Sequence, residues 1–363
     1  MGWVGRTQQS SGKSGCHEGC FICLKDQNSI GSSLMASKVN IPWSFLIRIA
    51  MAVLLGYYLY TQTDWNSFFR LISDAVPGWI IIAACCYGMT TLLGMARWHL
   101  LLKTCHAEMK FVRTAQLTMI GLFANLFLPS SMGGDLFKGI YASREIPHIK
   151  PTVIMSIIME RLLGFIAMFL ISTTLILYRF EELTSEPVTK VAVYLYFTFF
   201  TLIISFILLG SWKRLGNYIP FWKRLPVEEQ LREAGNAYRF FLRHMPCFWG
   251  GLALSCIAHF TLMGTFYFIS VGLNMHLNFW DLAAVLPLIM VVSMIPLTPG
   301  GVGLREVAFT HFLQFAHMTE EASVALSLGG TMIIYLWALA GGIVFLQFRS
   351  RKSSAEIVKG KVQ

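Results

Sequence analysis

Six stretches of this chain stay apolar for about 20 residues, the length a helix needs to cross a ~30 Å hydrocarbon core at ~1.5 Å per residue. They run over residues 42–60, 77–102, 151–177, 191–210, 247–271 and 322–348. Lipid can cover apolar side chains on every face of a helix, and water cannot. Of 363 residues, 55% are hydrophobic and only 13% charged, roughly half the charged share of an ordinary soluble domain. The predicted fold class is therefore all-α, a polytopic membrane helix bundle. Residues 41–348 form the transmembrane domain, 1–40 an extension outside the fold, and 349–363 a basic tail.

Two further apolar runs are too short to span. About 15 residues separate Arg113 from Pro129, and about 14 separate Asp281 from Pro296, giving ~21–23 Å as helix. Each ends in a Pro/Gly/Ser-rich break, at 128–135 and at 295–303, followed by a second short limb. Broken backbone at membrane depth is tolerated only inside protein or beside a wet cavity. Both pairs are therefore expected to be re-entrant hairpins.

The net charge of +10 comes from Lys and Arg in loops between apolar runs. That pattern is a topology signal and excludes nucleic acid as a partner. Loop 212–246 carries seven bases against three acids, and the segment after Phe348 carries five bases. Loops 61–76 and 178–190 carry more acids than bases. If neither hairpin crosses, the basic segments share one face, and both termini lie in the cytoplasm of a cell whose inner membrane holds the protein. The hairpins then open in opposite directions, the arrangement of inverted repeats whose site lies where broken helices meet; Asp135 and Glu306 are expected on opposite walls of that one cavity, braced by Glu160 and Arg161.

Gly133 and Gly134, before Asp135, are expected to offer backbone N–H groups to an anion such as phosphate, with Lys138 adding charge one turn on. A plainer reading has the glycines make the turn and Asp135 cap the second limb. At the other tip, Gly303 opens a helix whose N-terminus favours an anion. Arg305 there could pair with a lipid phosphate, and Glu306 could compensate the helix dipole. Glu160 and Arg161 lie near the middle of a span and point ~100° apart, so each is expected to meet a different partner. Arg48 and Arg97, near span ends, read as snorkelling residues without a role. Segment 221–246, with Trp222, Glu228, Arg232, Arg239 and Arg243, reads as an interfacial amphipathic helix.

Cys16, Cys20 and Cys23 have a cluster-like spacing but no scaffold behind them, so no metal or cofactor is expected. No P-loop, H-E-x-x-H or G-x-S-x-G motif occurs, and no catalytic residue is assigned.

Three motifs in order carry a family resemblance: Asn125 to Lys138 (including Pro129 and Ser130), Met159-Glu-Arg-Leu162, and Pro299-Gly-Gly-Val-Gly-Leu-Arg-Glu306 (including Gly300 and Gly301). Over about residues 42–348 the chain resembles the lysylphosphatidylglycerol synthase transmembrane region family, also called the flippase-like domain family. In its aminoacyl-lipid members this region is implicated in moving the modified lipid between leaflets, and a separate soluble domain makes that lipid. Only a short tail follows Phe348 here, so the resemblance implies the translocation half and not lysyl transfer. Lys138 stands where the resemblance leads us to expect arginine, which changes a bidentate phosphate fork for a point charge. The expected function is translocation of a phospholipid or other anionic lipid. Two rivals are a membrane-embedded transferase, or an accessory subunit of an envelope enzyme, acting on a polyprenyl- or hopanoid-linked substrate, and a secondary transporter of a soluble anion.

Overall fold

The computed structural model describes residues 43–105, 107, 109–127, 133–146, 150–185, 187–211, 240, 244–293, 298 and 303–360. Residues 1–40, Cys16, Cys20 and Cys23 among them, and segment 212–239 lie outside the described residues. So do the tip residues Pro129, Ser130, Pro299, Gly300 and Gly301. Contacts divide the chain into Met1–Ile47, described only where its first helix begins, and Arg48–Gln363, to which everything below belongs.

Every predicted span is helical. In chain order the helices are α1 Trp43–Gln62, α2 Trp65–Ser73, α3 Pro77–Thr104, α4 Phe111–Ala124, α5 Gly133–Glu145 and α6 Lys150–Tyr178. They continue as α7 Phe180–Ser185, α8 Pro187–Ser211, α9 Met245–Gly272, α10 Phe279–Ser293, α11 Leu304–Phe312 and α12 Glu320–Gly360. Much of the basic tail is thus a continuation of the last helix. Among the described residues four stretches are long and apolar enough to cross a membrane: Pro77–Thr104, Val153–Tyr178, Met245–Gly272 and Glu320–Gln347. The fold is a polytopic membrane helix bundle.

Helices start where the sequence supplies a suitable first turn. Proline opens α3 and α9, where its missing N–H would be unbonded in any case. The two short limbs α4 and α10 end at the Pro/Gly breaks. α10 is buried on all sides, with eight consecutive residues from Leu282 to Ile289 out of contact with the surroundings. A helix apolar all round is stable when wrapped by other helices.

The chain contains two series of four helices with the same pattern of packing. In the first, α3 packs on α4 and α6, and α5 packs on α4 and α6; in the second, α9 packs on α10 and α12, and α11 packs on α10 and α12. Contacts between the series are reciprocal: α4 meets α12 as α10 meets α6, and α6 meets α9 as α12 meets α3. The two leading helices, α3 and α9, lie antiparallel, since Leu100 faces Gly250, Arg97 meets Ser255, Thr90 meets Thr261 and Ile80 faces Gly272. Laid in one ungapped register, Pro129, Gly133, Gly134 and Lys138 fall on Pro296, Gly300, Gly301 and Arg305. The same register sets Glu160 against Ser327 and the buried Ser156 against the buried Ser323.

Candidate functional site

A cavity of about 380 Å³ lies within the first series, inside the size range of small-molecule sites. One face of α3 forms its back wall through Tyr87, Thr90, Thr91, Gly94 and Arg97, which recur at helical spacing. From α4 come Thr118, Gly121, Leu122 and Asn125, also on one face. Helix α6 contributes Glu160, Arg161, Gly164, Phe165 and Met168, helix α5 contributes Asp135 and Lys138, and α9 contributes His259.

Two glycines, Gly121 on the cavity wall and Gly134 behind it, set the crossing of α4 and α5. A Cβ on Gly134 would sit 2.1 Å from the Gly121 carbonyl oxygen and 2.7 Å from Asn125 Oδ1, closer than atoms can approach. Glycine at both positions lets α4 and α5 cross with their backbones touching. Gly134 N–H donates to Asn125 Oδ1 at 2.6 Å, so that amide is already satisfied. This corrects the expectation of an open amide nest at Gly134; Asn125 fills it.

Five charged groups follow one another through the cavity wall. Arg97 donates through Nη1 to Ser255 Oγ at 2.8 Å and through Nη2 to Glu160 Oε1 at 3.3 Å. Glu160 Oε2 receives Lys138 Nζ at 2.5 Å, and Lys138 lies 3.4 Å from Asp135 Oδ1. Asp135 Oδ2 accepts from both Nε and Nη2 of Arg161. Lys138 also sits 4.4 Å from the centroid of the Trp98 ring, whose indole N–H donates to Ser156 Oγ at 3.1 Å. The Lys138 side chain is 4% exposed and that of Glu160 9%. Burial of such charges is tolerable only because each is paired and hydrogen-bonded. Three cations against two carboxylates leave one positive charge.

Glu160 and Arg161 therefore do meet different partners on α5, Lys138 and Asp135, and Glu160 also meets Arg97 of α3. Lys138 is held by two carboxylates and an aromatic face rather than standing open. Asp135 bridges cations instead of capping α5. Arg97 was read as a snorkelling end residue, yet it lies seven positions inside α3 and joins the network. The signal that could have found it is the polar stripe Thr90, Gly94, Arg97 on one helix face. His259 carries no motif; its Nε2 donates to the Gly164 carbonyl at 3.0 Å.

The second tip is built differently. Gly303 has φ +87°, a conformation that favours glycine, and a Cβ there would meet Leu55 Cβ at 3.0 Å. Its N–H donates to Glu306 Oε2 at 2.6 Å. Ser327 donates to Glu306 Oε1 at 3.1 Å, Arg305 approaches the same oxygen at 3.3 Å, and Arg305 also bonds Thr331. Glu306 thus completes the first turn of α11, as a dipole-compensating acid does. Arg305 and Glu306 are not on the cavity wall, contrary to the expectation that Asp135 and Glu306 face each other across one chamber. Arg305 does lie within electrostatic reach of Tyr87 on that wall.

Comparison with known proteins agrees with the motifs. The model of the lysylphosphatidylglycerol synthase TM region matches residues 45–342. A UPF0104 membrane protein of Pyrococcus horikoshii is 25% identical over 304 residues, covering 77% of this chain and 90% of that protein. With most of its length matched and its bundle of apolar helices, this chain belongs to the lysylphosphatidylglycerol synthase TM region family.

Proposed function

We propose that the protein moves an anionic lipid between leaflets, holding the headgroup in the α3–α6 cavity while the acyl chains stay in the bilayer. One observation carries this reading. The cavity has a surplus positive charge, and its two side walls, α4 and α6, share no extensive contact among the described residues. Among the described helices, only α3 and α5 pack against both. Leu122 of α4 and Phe165 of α6 line the chamber beside Asn125 and Arg161, so apolar and charged side chains share its walls. An amphiphile fits such a chamber by putting its charge inside and its chains outside.

The short limbs α4–α5 and α10–α11 are read as re-entrant hairpins in an inverted repeat. The antiparallel pairing of α3 with α9 and the reciprocal contacts support this. Loop charge supports a cytoplasmic side for both termini and loop 212–246, and the membrane is read as the inner one. A transferase would need a carboxylate free to accept or deliver a proton, whereas Asp135 and Glu160 are each bound by two cations. That favours a binding and carrying role over catalysis.

Reconstitution tests the reading. A fluorescent anionic phospholipid in proteoliposomes should become accessible to an external quencher beyond the outer-leaflet fraction. Accessibility equal to that of empty liposomes would contradict translocation.

A further inference from the structure

The cavity's cations are held mainly by carboxylates, with Arg97 Nε a buried nitrogen without a hydrogen-bond partner among the described residues. Lys138 holds Glu160 and Asp135, Arg97 holds Glu160 and Ser255, and Arg161 holds Asp135 through two nitrogens. An anion that takes Lys138 and Arg161 must displace a carboxylate, and the two carboxylates are not equal. Glu160 is 9% exposed and sits 2.5 Å from Lys138; Asp135 is 20% exposed and sits 3.4 Å from it. Asp135's other partner, Arg161, is the most exposed member of the network at 35%. The network's more accessible end is the Asp135–Arg161 pair, although that pair is itself closely bonded.

We propose that Asp135 is a built-in competing anion. Its carboxylate occupies the place between Lys138 and Arg161 that the phosphate of an amphiphile takes, and it must swing aside for the phosphate to bind. The inference rests on the headgroup reading above and adds what sets its affinity. Exchange of one anion for another keeps both cations paired, and the carboxylate displaced is the more exposed of the two. The net gain on binding is then small, which suits a site that must release its cargo as readily as it takes it. Asp135 acts here as a specificity-setting residue: it rejects ligands whose anionic group is too weak an acceptor to replace a carboxylate.

The test uses the full chain in neutral detergent, with dodecyl phosphate as the amphiphilic probe and inorganic phosphate as the free-ion arm. Titration calorimetry compares wild type, Asp135→Asn, Asp135→Glu and Arg161→Gln. Asp135→Asn should bind dodecyl phosphate roughly tenfold tighter than wild type, on the scale of one charge-assisted hydrogen bond no longer competed for. Asp135→Glu, which keeps the competing charge, should stay near wild type, and Arg161→Gln should bind more weakly. If Asp135→Asn does not fold, Asp135→Ser carries the same expectation. A lipid site gains for dodecyl phosphate far more than for inorganic phosphate; equal gains would identify free phosphate as the ligand and overturn the amphiphile assignment. Equal or weaker binding by the neutral variants, with wild-type binding still lost in Arg161→Gln, would overturn the competing-anion role and leave the headgroup reading standing. Absence of dodecyl phosphate binding in every form would overturn both.

Discussion

Lys138 Nζ lies 2.5 Å from Glu160 Oε2, joining the first turns of α5 to the middle of α6. Glu160 also holds Arg97. From sequence, Glu160→Gln looks mild, because an amide still hydrogen-bonds. The geometry reverses that expectation, since the change leaves two buried cations short of a counter-charge. Glu160→Gln should cost about 3–5 kcal/mol, the range for breaking a buried pair on one side. Unfolding in detergent measures it. Lys138→Met together with Glu160→Gln should cost less than the two single changes added, because the double change removes a cation along with its acid.

Gly134→Ala should disrupt the α4–α5 crossing. Its methyl would lie 2.1 Å from the Gly121 carbonyl, a backbone atom that cannot rotate away. Overpacking of this kind costs about 1–3 kcal/mol or more. Gly78→Ala meets nothing within 4 Å and should melt near wild type. Equal melting temperatures for the two variants would contradict the close crossing.

Much of this fold was legible because its signals are local. Apolar length marks the spans, and Pro129 and Pro296 with their following glycines mark the breaks. The pairing inside the site was not legible, for a physical reason. Whether Gly134 N–H faces a ligand or Asn125 depends on how closely two helices cross, which no local pattern encodes. Arg97 was misread because distance from a span end does not tell a snorkelling side chain from one drawn inward by Glu160 and Ser255. Glu306 was expected on a cavity wall, yet its carboxylate folds back onto the Gly303 amide.

Gly303→Ala should destabilise the second tip by about 1–3 kcal/mol, the cost of a sparsely populated positive-φ conformation for a residue with a Cβ. The 3.0 Å approach to Leu55 adds crowding. Thermal unfolding checks this. Gly56→Ala, which meets nothing within 4 Å, is the control and should show no loss.

Sidedness has its own measurement. Reporter fusions at Glu182 and Glu229 should give opposite signals, because acid-rich loop 178–190 is assigned outside and base-rich loop 212–246 inside. The same signal at both positions would remove the topology and, with it, the opposed hairpins.

The central claim is that the α3–α6 cavity holds the lipid headgroup, and Gly94 offers the most direct probe of it. Gly94 lines the cavity, and a Cβ added there meets nothing within 4 Å. A leucine at this position has room for its Cβ and adds bulk to the cavity wall, and it favours helix more than glycine does. The decisive measurement is the rate at which proteoliposomes holding wild type or Gly94→Leu move a fluorescent anionic phospholipid between leaflets. Melting of both proteins is checked in parallel. The account predicts that Gly94→Leu melts like wild type and moves lipid no faster than empty liposomes. A folded Gly94→Leu variant that moves lipid at the wild-type rate would contradict it.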